Sequence, residues 1–242
     1  MLSIGYGGKV IASDLTAVLP TGTLTALVGS NGCGKSTLLR TLAGLQQSLG
    51  GEISPAPSAT TVSVVLTDRI VAPALTVNDL VILGRIPHTG LSGRLTPKDR
   101  EAVERAITLC GIEHLRRRQL SQLSDGERQR AMIARAIAQD TPLILLDEPT
   151  AFLDFPAKVE TLRLLSRLAH EEGKTILLST HDLEITFQLA DRLWLMAEGH
   201  LSEGTPQELA ANGRIAALFP HVEFESTTMR YIVNSEKLRV NS

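Results

Sequence analysis

The stretch that most constrains the fold is LTALVGSNGCGKSTLL, in which an apolar run, a glycine-rich turn and a helical pattern follow one another. Its spacing is Gly29-x-x-x-x-Gly34-Lys35-Ser36. Glycines allow positive φ angles and close approach, so consecutive backbone N–H groups can wrap around a phosphate. The lysine can then supply a point charge to the outer phosphates, and the serine hydroxyl can ligate Mg²⁺. The stretch therefore predicts a strand, a phosphate-binding loop and a helix in direct succession.

The whole turn and the first helical residues form this predicted loop. Cys33 would act in it through its backbone rather than its thiol. A glycine-rich turn without a ligand is the alternative, but the strand before and the helix after are the context that a phosphate loop requires. The predicted binding residues are Gly29, Ser30, Asn31, Gly32, Cys33, Gly34, Lys35, Ser36 and Thr37.

Short apolar runs alternate with helical patterns along the chain, which predicts an α/β fold with parallel strands. The helix starts carry capping residues, at Thr76, Thr96 and Thr205. A block from about 75 to 138 is almost purely helical and interrupts the alternation. The predicted strands are Leu24–Val28, Thr61–Leu66, Leu143–Leu146, Thr175–Ser179 and Arg192–Met196.

Composition narrows the possible functions. The chain has 242 residues, a formal net charge of -2 and 3% aromatic residues. It therefore lacks the basic surface and the stacking aromatics that are typical of nucleic-acid binding, and we expect no nucleic-acid partner. Cys33 and Cys110 have no metal-ligand spacing and fit a reducing cytosol. We expect a soluble protein without leader or membrane span, able to dock on a membrane protein.

Two further apolar runs end in side chains suited to phosphate chemistry. In LILLDEP the apolar run is followed by Asp147 and Glu148, and in ILLSTHD the strand is followed by His181. Sheets of this class bind ligands at the carboxyl ends of their parallel strands. We expect Asp147 to hold Mg²⁺, Glu148 to orient and deprotonate an attacking water, and His181 to contact the outermost phosphate. For each residue alone, a solvated strand end or a structural histidine remains the alternative.

The segment QLSDGERQR begins a helix with a capping box. Ser124 would accept a hydrogen bond from the N–H three residues on, and Glu127 would reach back to the serine N–H. A helix N-terminus also presents free N–H groups and the positive end of the helix dipole, so it can bind an anion. From the residues alone, an ordinary cap and a cap directed at a phosphate both stay open.

The order of the motifs, phosphate loop, LSDGERQR, LILLDEP, AFLD and STHD, resembles that of ABC transporter ATP-binding subunits over nearly the whole chain. The resemblance implies an α/β fold with a RecA-like P-loop core, an antiparallel β element and an inserted helical subdomain. We expect one ABC ATPase domain over residues 1–242. Its core would be 1–74 and 139–220, its helical subdomain about 75–138 and a C-terminal hairpin about 221–242. ATP and Mg²⁺ are the implied cofactors.

The resemblance also implies a homodimer whose two copies face head to tail and hold ATP between them. Ser124 and Gly126 would then cap the γ-phosphate bound to the other copy. The same helix N-terminus would serve as capping box and as part of the phosphate site. Tyr6 would stack on adenine, and Asp154 would lie in the loop that couples the two sites. His181 takes the place of the family's switch histidine.

The pattern Gly84-Arg85-x-Pro87-His88 resembles the subgroup that imports iron–siderophore complexes, haem and cobalamin. The implied partners are a transmembrane permease dimer, whose coupling helix would dock near residues 67–94, and indirectly a substrate-binding protein. The implied location is the cytoplasmic face of the bacterial inner membrane, as a peripheral subunit. For His88, a solvated loop residue is the alternative.

Two departures from the family pattern concern the site. The family places a glutamine after the strand at Thr61–Leu66, whereas this chain has Thr67 and Asp68, and either oxygen could bind the metal or its water. The signature carries Asp125 and Glu127 where glycine and glutamine are usual.

Two other function classes compete with an importer ATPase. A soluble ABC ATPase acting on ribosomes or DNA would usually carry two cassettes or a long coiled-coil insert, and neither is present in this sequence. A small P-loop kinase or GTPase would leave LSDGERQR unexplained, and the guanine-reading pattern Asn-Lys-x-Asp is absent from the sequence.

Overall fold

The computed structural model describes residues 1–67, 74–90, 93–218, 222–225 and 230–233. Within these ranges the strands are β1 Leu2–Tyr6, β2 Lys9–Leu15, β3 Leu24–Gly29, β4 Val62–Val65, β5 Leu143–Leu146, β6 Thr175–Ser179, β7 Arg192–Ala197, β8 His200–Gly204, β9 Val222–Glu225 and β10 Arg230–Val233. The α-helices are α1 Lys35–Leu42, α2 Val77–Leu83, α3 Pro97–Leu109, α4 Asp125–Ala138, α5 Phe155–His170, α6 Leu183–Leu189, α7 Pro206–Ala211 and α8 Arg214–Leu218.

The central sheet has the strand order β4-β5-β6-β3-β7-β8. Its first five strands run parallel, and β8 pairs antiparallel with β7. The apolar runs of β5 and β6 are buried almost throughout, as expected for parallel strands covered on both faces. Five predicted strands are confirmed, with bounds that differ by no more than one residue at either end.

Two antiparallel pairs lie outside the central sheet. β1 pairs with β2, and Ile11 of β2 contacts the region of Gly34, so this pair adjoins the phosphate loop. β9 pairs antiparallel with β10 near the C-terminus, whereas the intervening Ser226-Thr227-Thr228 segment lies outside the described residues.

Apolar side chains cover the sheet in two clusters. One combines the sheet with helices α2 to α5 and includes Ile133 and Leu165. The other joins α1 and the β1–β2 pair to the sheet through Leu39 and Trp194. Burial on both faces stabilises the parallel strands by the hydrophobic effect and thereby positions their carboxyl ends.

Helices α2, α3 and α4 all lie between β4 and β5 in the chain, where the sequence predicts a helical block. The capping boxes predicted at Thr76, Thr96, Ser124 and Thr205 are confirmed, each with both reciprocal hydrogen bonds. Among the helices of the described residues, none combines the length and apolar character needed to cross a bilayer.

Arg85 lies within the segment 67–94 that is expected to receive the coupling helix, but its side chain is buried. Its guanidinium is buried, where it donates to Asp99 Oδ1 at 2.9 Å and to the Ala138 carbonyl at 2.7 Å. A buried arginine needs a carboxylate partner, and α3 supplies one. Arg85 therefore joins the segment after α2 to α3 and α4 instead of lining a surface. His88 is exposed, and its Nε2 lies 2.8 Å from the Gln139 carbonyl oxygen.

Candidate functional site

The carboxyl ends of four parallel strands bring one group of the predicted site residues to one edge of the sheet. The phosphate loop follows β3, Thr67 follows β4, Asp147 follows β5 and His181 follows β6. Neighbouring strands keep these ends in register, with Leu146 opposite Leu178 and Leu27 opposite Ser179.

The phosphate loop needs glycine at two positions because neighbouring atoms leave no room for a Cβ. A Cβ on Gly29 would lie 2.3 Å from the Met196 carbonyl oxygen. A Cβ on Gly34 would lie 2.6 Å from Ile11 Cγ2, and Gly34 also has a φ of 108°. The backbone therefore passes closely under β7 and β2 and turns into α1 with its N–H groups open to a ligand.

Lys35 lies inside this loop with its ammonium group partly satisfied. The side chain is 6% exposed, and Nζ donates to the carbonyl oxygens of Gly29 at 2.8 Å and Ser30 at 3.0 Å. An ammonium group has three donors, so one is left over from these bonds. No carboxylate among the described residues neutralises the charge. The loop therefore presents a positive charge that a phosphate can pair with, as expected for a nucleotide-binding site.

Asp147 and Glu148 both form hydrogen bonds with the hydroxyl group of Ser179, at the end of β6. Ser179 Oγ donates to Asp147 Oδ1 at 2.7 Å and accepts from the Glu148 N–H at 2.9 Å. Asp147 is 5% exposed, while Glu148 is half-buried and has a φ of 51°, which is left-handed for a non-glycine residue. Sequence reasoning missed Ser179, because its two contacts depend on the order of strands in the sheet.

His181 and Glu148, both predicted to be catalytic, are in direct contact. Nε2 of His181 lies 2.5 Å from Glu148 Oε1, and both side chains are partly exposed to solvent. The two residues come from the ends of neighbouring strands, β5 and β6. A carboxylate held by a histidine at the rim of a phosphate loop is a suitable arrangement for activating water.

The two candidates for the missing glutamine differ in what the structure describes. Thr67 Oγ1 donates to the Asp147 carbonyl oxygen at 2.9 Å, which connects the end of β4 to the acid pair. Asp68 lies outside the described residues.

The site suits Mg²⁺ bound together with phosphates. Asp147 has Ser179 on Oδ1, and the exposed Ser36 hydroxyl lies in the first turn of α1. In the described part of the chain, no cluster of three His, Cys, Asp or Glu side chains could hold a metal ion. Mg²⁺ is usually bound through one or two protein oxygens plus substrate phosphates, so a donor set of this size fits.

Ser124 and Gly126 lie at the start of α4. Their contacts described below do not include residues of this sheet edge. The N–H and the hydroxyl of Ser124 bond to Glu127, whose pKa is lowered chiefly by the bond from the Ser124 N–H. Gly126 instead faces Leu153 and Ala157, each 3.8 Å from where its Cβ would be. Among the described hydrogen bonds, none joins Ser124 to the phosphate loop.

Asp154 and Tyr6 are both exposed. Asp154 is the N-cap of α5 and accepts from the Ala157 N–H at 3.1 Å. Tyr6 ends β1, paired with Lys9, and its ring is largely exposed. Sequence reasoning also missed Asp182, which accepts from Thr150 and pairs with Lys158, each at 2.8 Å.

Comparison with known proteins gives three similarities. The ABC transporter family matches residues 12–151. The iron(3+)-hydroxamate import ATP-binding protein FhuC of Bacillus subtilis is 39% identical over 219 residues, covering 86% of this chain and 81% of that protein. The ferric enterobactin transport ATP-binding protein FepC of Escherichia coli is 37% identical over 229 residues, covering 90% of this chain and 84% of that protein.

A solved structure has the same fold. It is described as an inward-facing metal-chelate type ABC transporter, and it matches with a TM-score of 0.80 at 29% identity. The match covers 91% of this chain and 89% of that one.

Proposed function

This chain belongs to the ABC transporter family, and on that premise we propose that it is the ATP-hydrolysing, energy-coupling subunit of an importer for metal chelates of the iron–siderophore type. The contact between Glu148 and His181 beside the phosphate loop carries the chemical part of the proposal. The import role and the cargo class rest on the relatives, since an ATPase subunit of this kind does not touch the cargo.

ATP would bind with its phosphates along the loop from Gly29 to Thr37. Lys35 has a spare N–H for the outer phosphates, and Tyr6 offers an exposed ring for the adenine. Ser36 and Asp147, with Thr67 or Asp68, would hold Mg²⁺. When bound, the metal would neutralise charge on the β- and γ-phosphates.

Hydrolysis needs a base close to the γ-phosphate, and Glu148 fills that role in the proposal. Its carboxylate is held by His181 and its N–H by Ser179, so its position is set before substrate arrives. Glu148 would orient and deprotonate the attacking water, and His181 would turn its polar edge to the γ-phosphate.

A second copy of the chain would complete each site. Ser124 and Gly126 lie at the N-terminus of α4, and no described hydrogen bond joins Ser124 to the phosphate loop of its own chain. In a head-to-tail homodimer this terminus would face the γ-phosphate of the partner copy. Asp154 and Leu153 contact or adjoin the same region, and they would couple the two sites.

The permease would dock near residues 67–94, at the cytoplasmic face of the membrane. Leu83 and Ile86, at and just after the end of α2, are large apolar side chains exposed on this segment. Exposed apolar side chains of this size suit a contact with a partner helix. ATP binding would close the dimer, and closure would move the permease, with a substrate-binding protein acting on the opposite side.

Replacement of Glu148 by glutamine tests the ATPase part of the proposal. Glu148→Gln keeps the shape of the side chain but removes the base, so we expect turnover to fall at least about a hundredfold. With saturating ATP the variant should accumulate as an ATP-filled dimer, measured by size-exclusion chromatography with light scattering.

Glu171→Gln is the matched control, because Glu171 is an exposed glutamate at the C-terminal end of α5. It should hydrolyse ATP like the wild type and form no trapped dimer. A Glu148→Gln protein that stays monomeric at saturating ATP would contradict the proposal.

Co-purification decides between import and the alternative of a soluble ABC ATPase. The relatives compared above are an import and a transport ATP-binding protein, which favours capture of a membrane permease. Capture of ribosomes or of DNA instead would favour the alternative.

A further inference from the structure

Ser179 occupies a central place in the candidate site. It is the last residue of β6, which lies between β5, followed by Asp147, and β3, which leads into the phosphate loop. Its side chain is 0% exposed, so its hydroxyl must find partners within the protein.

The direction of both Ser179 hydrogen bonds follows from the chemistry of the partners. The Glu148 N–H can only donate, so Ser179 Oγ accepts at 2.9 Å. The hydroxyl proton is then free to be donated to Asp147 Oδ1, at 2.7 Å. One hydroxyl group therefore holds the side chain of one acid and the backbone of the next.

The two bonds hold the Asp147 carboxylate and the Glu148 backbone N–H. The bond to Oδ1 fixes the rotation of the Asp147 carboxylate and leaves Oδ2 directed elsewhere. The bond from the N–H fixes the peptide between Asp147 and Glu148, where Glu148 has its left-handed φ of 51°. A strained backbone of this kind persists only when surrounding contacts hold it.

We infer that Ser179 is a positioning residue that holds Asp147, the proposed metal ligand, and Glu148, the proposed base, in one fixed arrangement. The inference rests on the proposed function. It implies that loss of the hydroxyl weakens Mg²⁺ binding and slows hydrolysis together, because both effects act through the acid pair.

A merely structural role makes a different prediction, and the chain offers a matched control. Ser63 in β4 is also a buried serine in the same sheet, at 1% exposure, but its Oγ has no hydrogen-bond partner among the described residues. Ser179→Ala and Ser63→Ala remove the same atom from similar surroundings, and only the first removes contacts to the acid pair.

The experiment measures magnesium binding apart from turnover. The melting temperature of each variant is followed against Mg²⁺ concentration with a non-hydrolysable ATP analogue, and analogue binding is measured again in EDTA. For Ser179→Ala we expect the magnesium midpoint to rise about tenfold, as for a lost hydrogen bond to a charged group. Turnover should fall by about the same factor, while binding of the analogue in EDTA stays unchanged.

Ser63→Ala should match the wild type in all three measurements. A Ser179→Ala protein with an unchanged magnesium midpoint would overturn the inference, whatever its turnover. A loss of analogue binding in EDTA as large as the loss of magnesium binding would also overturn it. The substitution would then weaken nucleotide binding in general and not magnesium binding in particular. If wild-type protein bound the analogue and Mg²⁺ but did not hydrolyse ATP, the proposed function would fail instead.

Discussion

Asp99 and Asp147 are both buried carboxylates, but their partners give them different roles. Asp99 accepts from the Thr96 hydroxyl and N–H and pairs with Arg85, and these contacts lower its pKa from 3.8 to about 2. Asp147 has the single hydroxyl of Ser179 on one oxygen. The contacts of Asp99 therefore stabilise the fold, whereas the second carboxylate oxygen of Asp147 can bind a cation.

Replacement of Asp99 should destabilise the protein because it leaves a buried guanidinium without its counter-charge. For Asp99→Asn we expect a loss of about 3 kcal/mol at pH 7, by chemical denaturation. Asp79→Asn is the matched control, since Asp79 has the same place in the capping box of α2 but is exposed. It should cost less than about 1 kcal/mol. Equal losses in the two variants would contradict this account of Arg85.

The Asp99–Arg85 pair also predicts that the free energy of unfolding depends on pH. The pKa of Asp99 is lower in the folded protein than its usual 3.8, so its contribution is fully present above about pH 4. As the pH falls toward 2, the carboxylate is protonated and the contribution is lost. The stability gap between wild type and Asp99→Asn should therefore narrow from pH 4 to pH 2. A gap that stays constant would contradict the lowered pKa.

Ser179 shows where residue-level prediction from sequence ends. The phosphate loop, the acid pair and His181 could be recognised because each motif carries its chemistry in consecutive residues. Ser179 ends the run TILLS and looks like an ordinary strand end. Its importance depends on β6 lying between β5 and β3, and strand order cannot be read from local patterns.

At the scale of elements, the helix starts were predictable because capping is local. The four capping boxes use residues three positions apart, and all four are present. The place of Arg85 was not predictable in this way. Its burial depends on Asp99 and Ala138, which belong to two helices further along the chain.

The helix α4 offers a test that separates capping from nucleotide recognition. Ser124→Ala and Thr205→Ala remove equivalent caps, each with an accepted N–H bond of 3.2 Å and a reciprocal bond of 2.8 Å. Each should cost about 1 kcal/mol of stability, or roughly 3 °C in melting temperature. Only Ser124→Ala should also reduce ATP turnover, by about tenfold.

Steady-state ATPase rates at saturating ATP and melting curves suffice for this comparison. Equal turnover in the two variants would show that the cap of α4 serves only its own helix. That result would remove the proposed contact between α4 and a partner's γ-phosphate.

At the scale of the whole molecule, the residues of the proposed site lie in two separate groups. The phosphate loop, Asp147, Glu148 and His181 share one sheet edge. Ser124 lies at an exposed helix terminus, where its N–H and hydroxyl bond to Glu127 and its carbonyl oxygen accepts from the Arg128 N–H. The central claim is that two copies bring these groups together, so that each reaction centre combines the loop of one copy with the α4 terminus of the other.

Mixing two inactive variants measures this claim most directly. Lys35→Ala damages the phosphate loop and Ser124→Arg blocks the α4 terminus, so neither protein alone should hydrolyse ATP. In a mixed dimer, the intact loop of the Ser124→Arg copy faces the intact α4 terminus of the Lys35→Ala copy. One of the two reaction centres is therefore restored. Random pairing at equal amounts should then recover up to about a quarter of wild-type turnover. A mixture that stays as inactive as its components, although mixed dimers form, would contradict the claim.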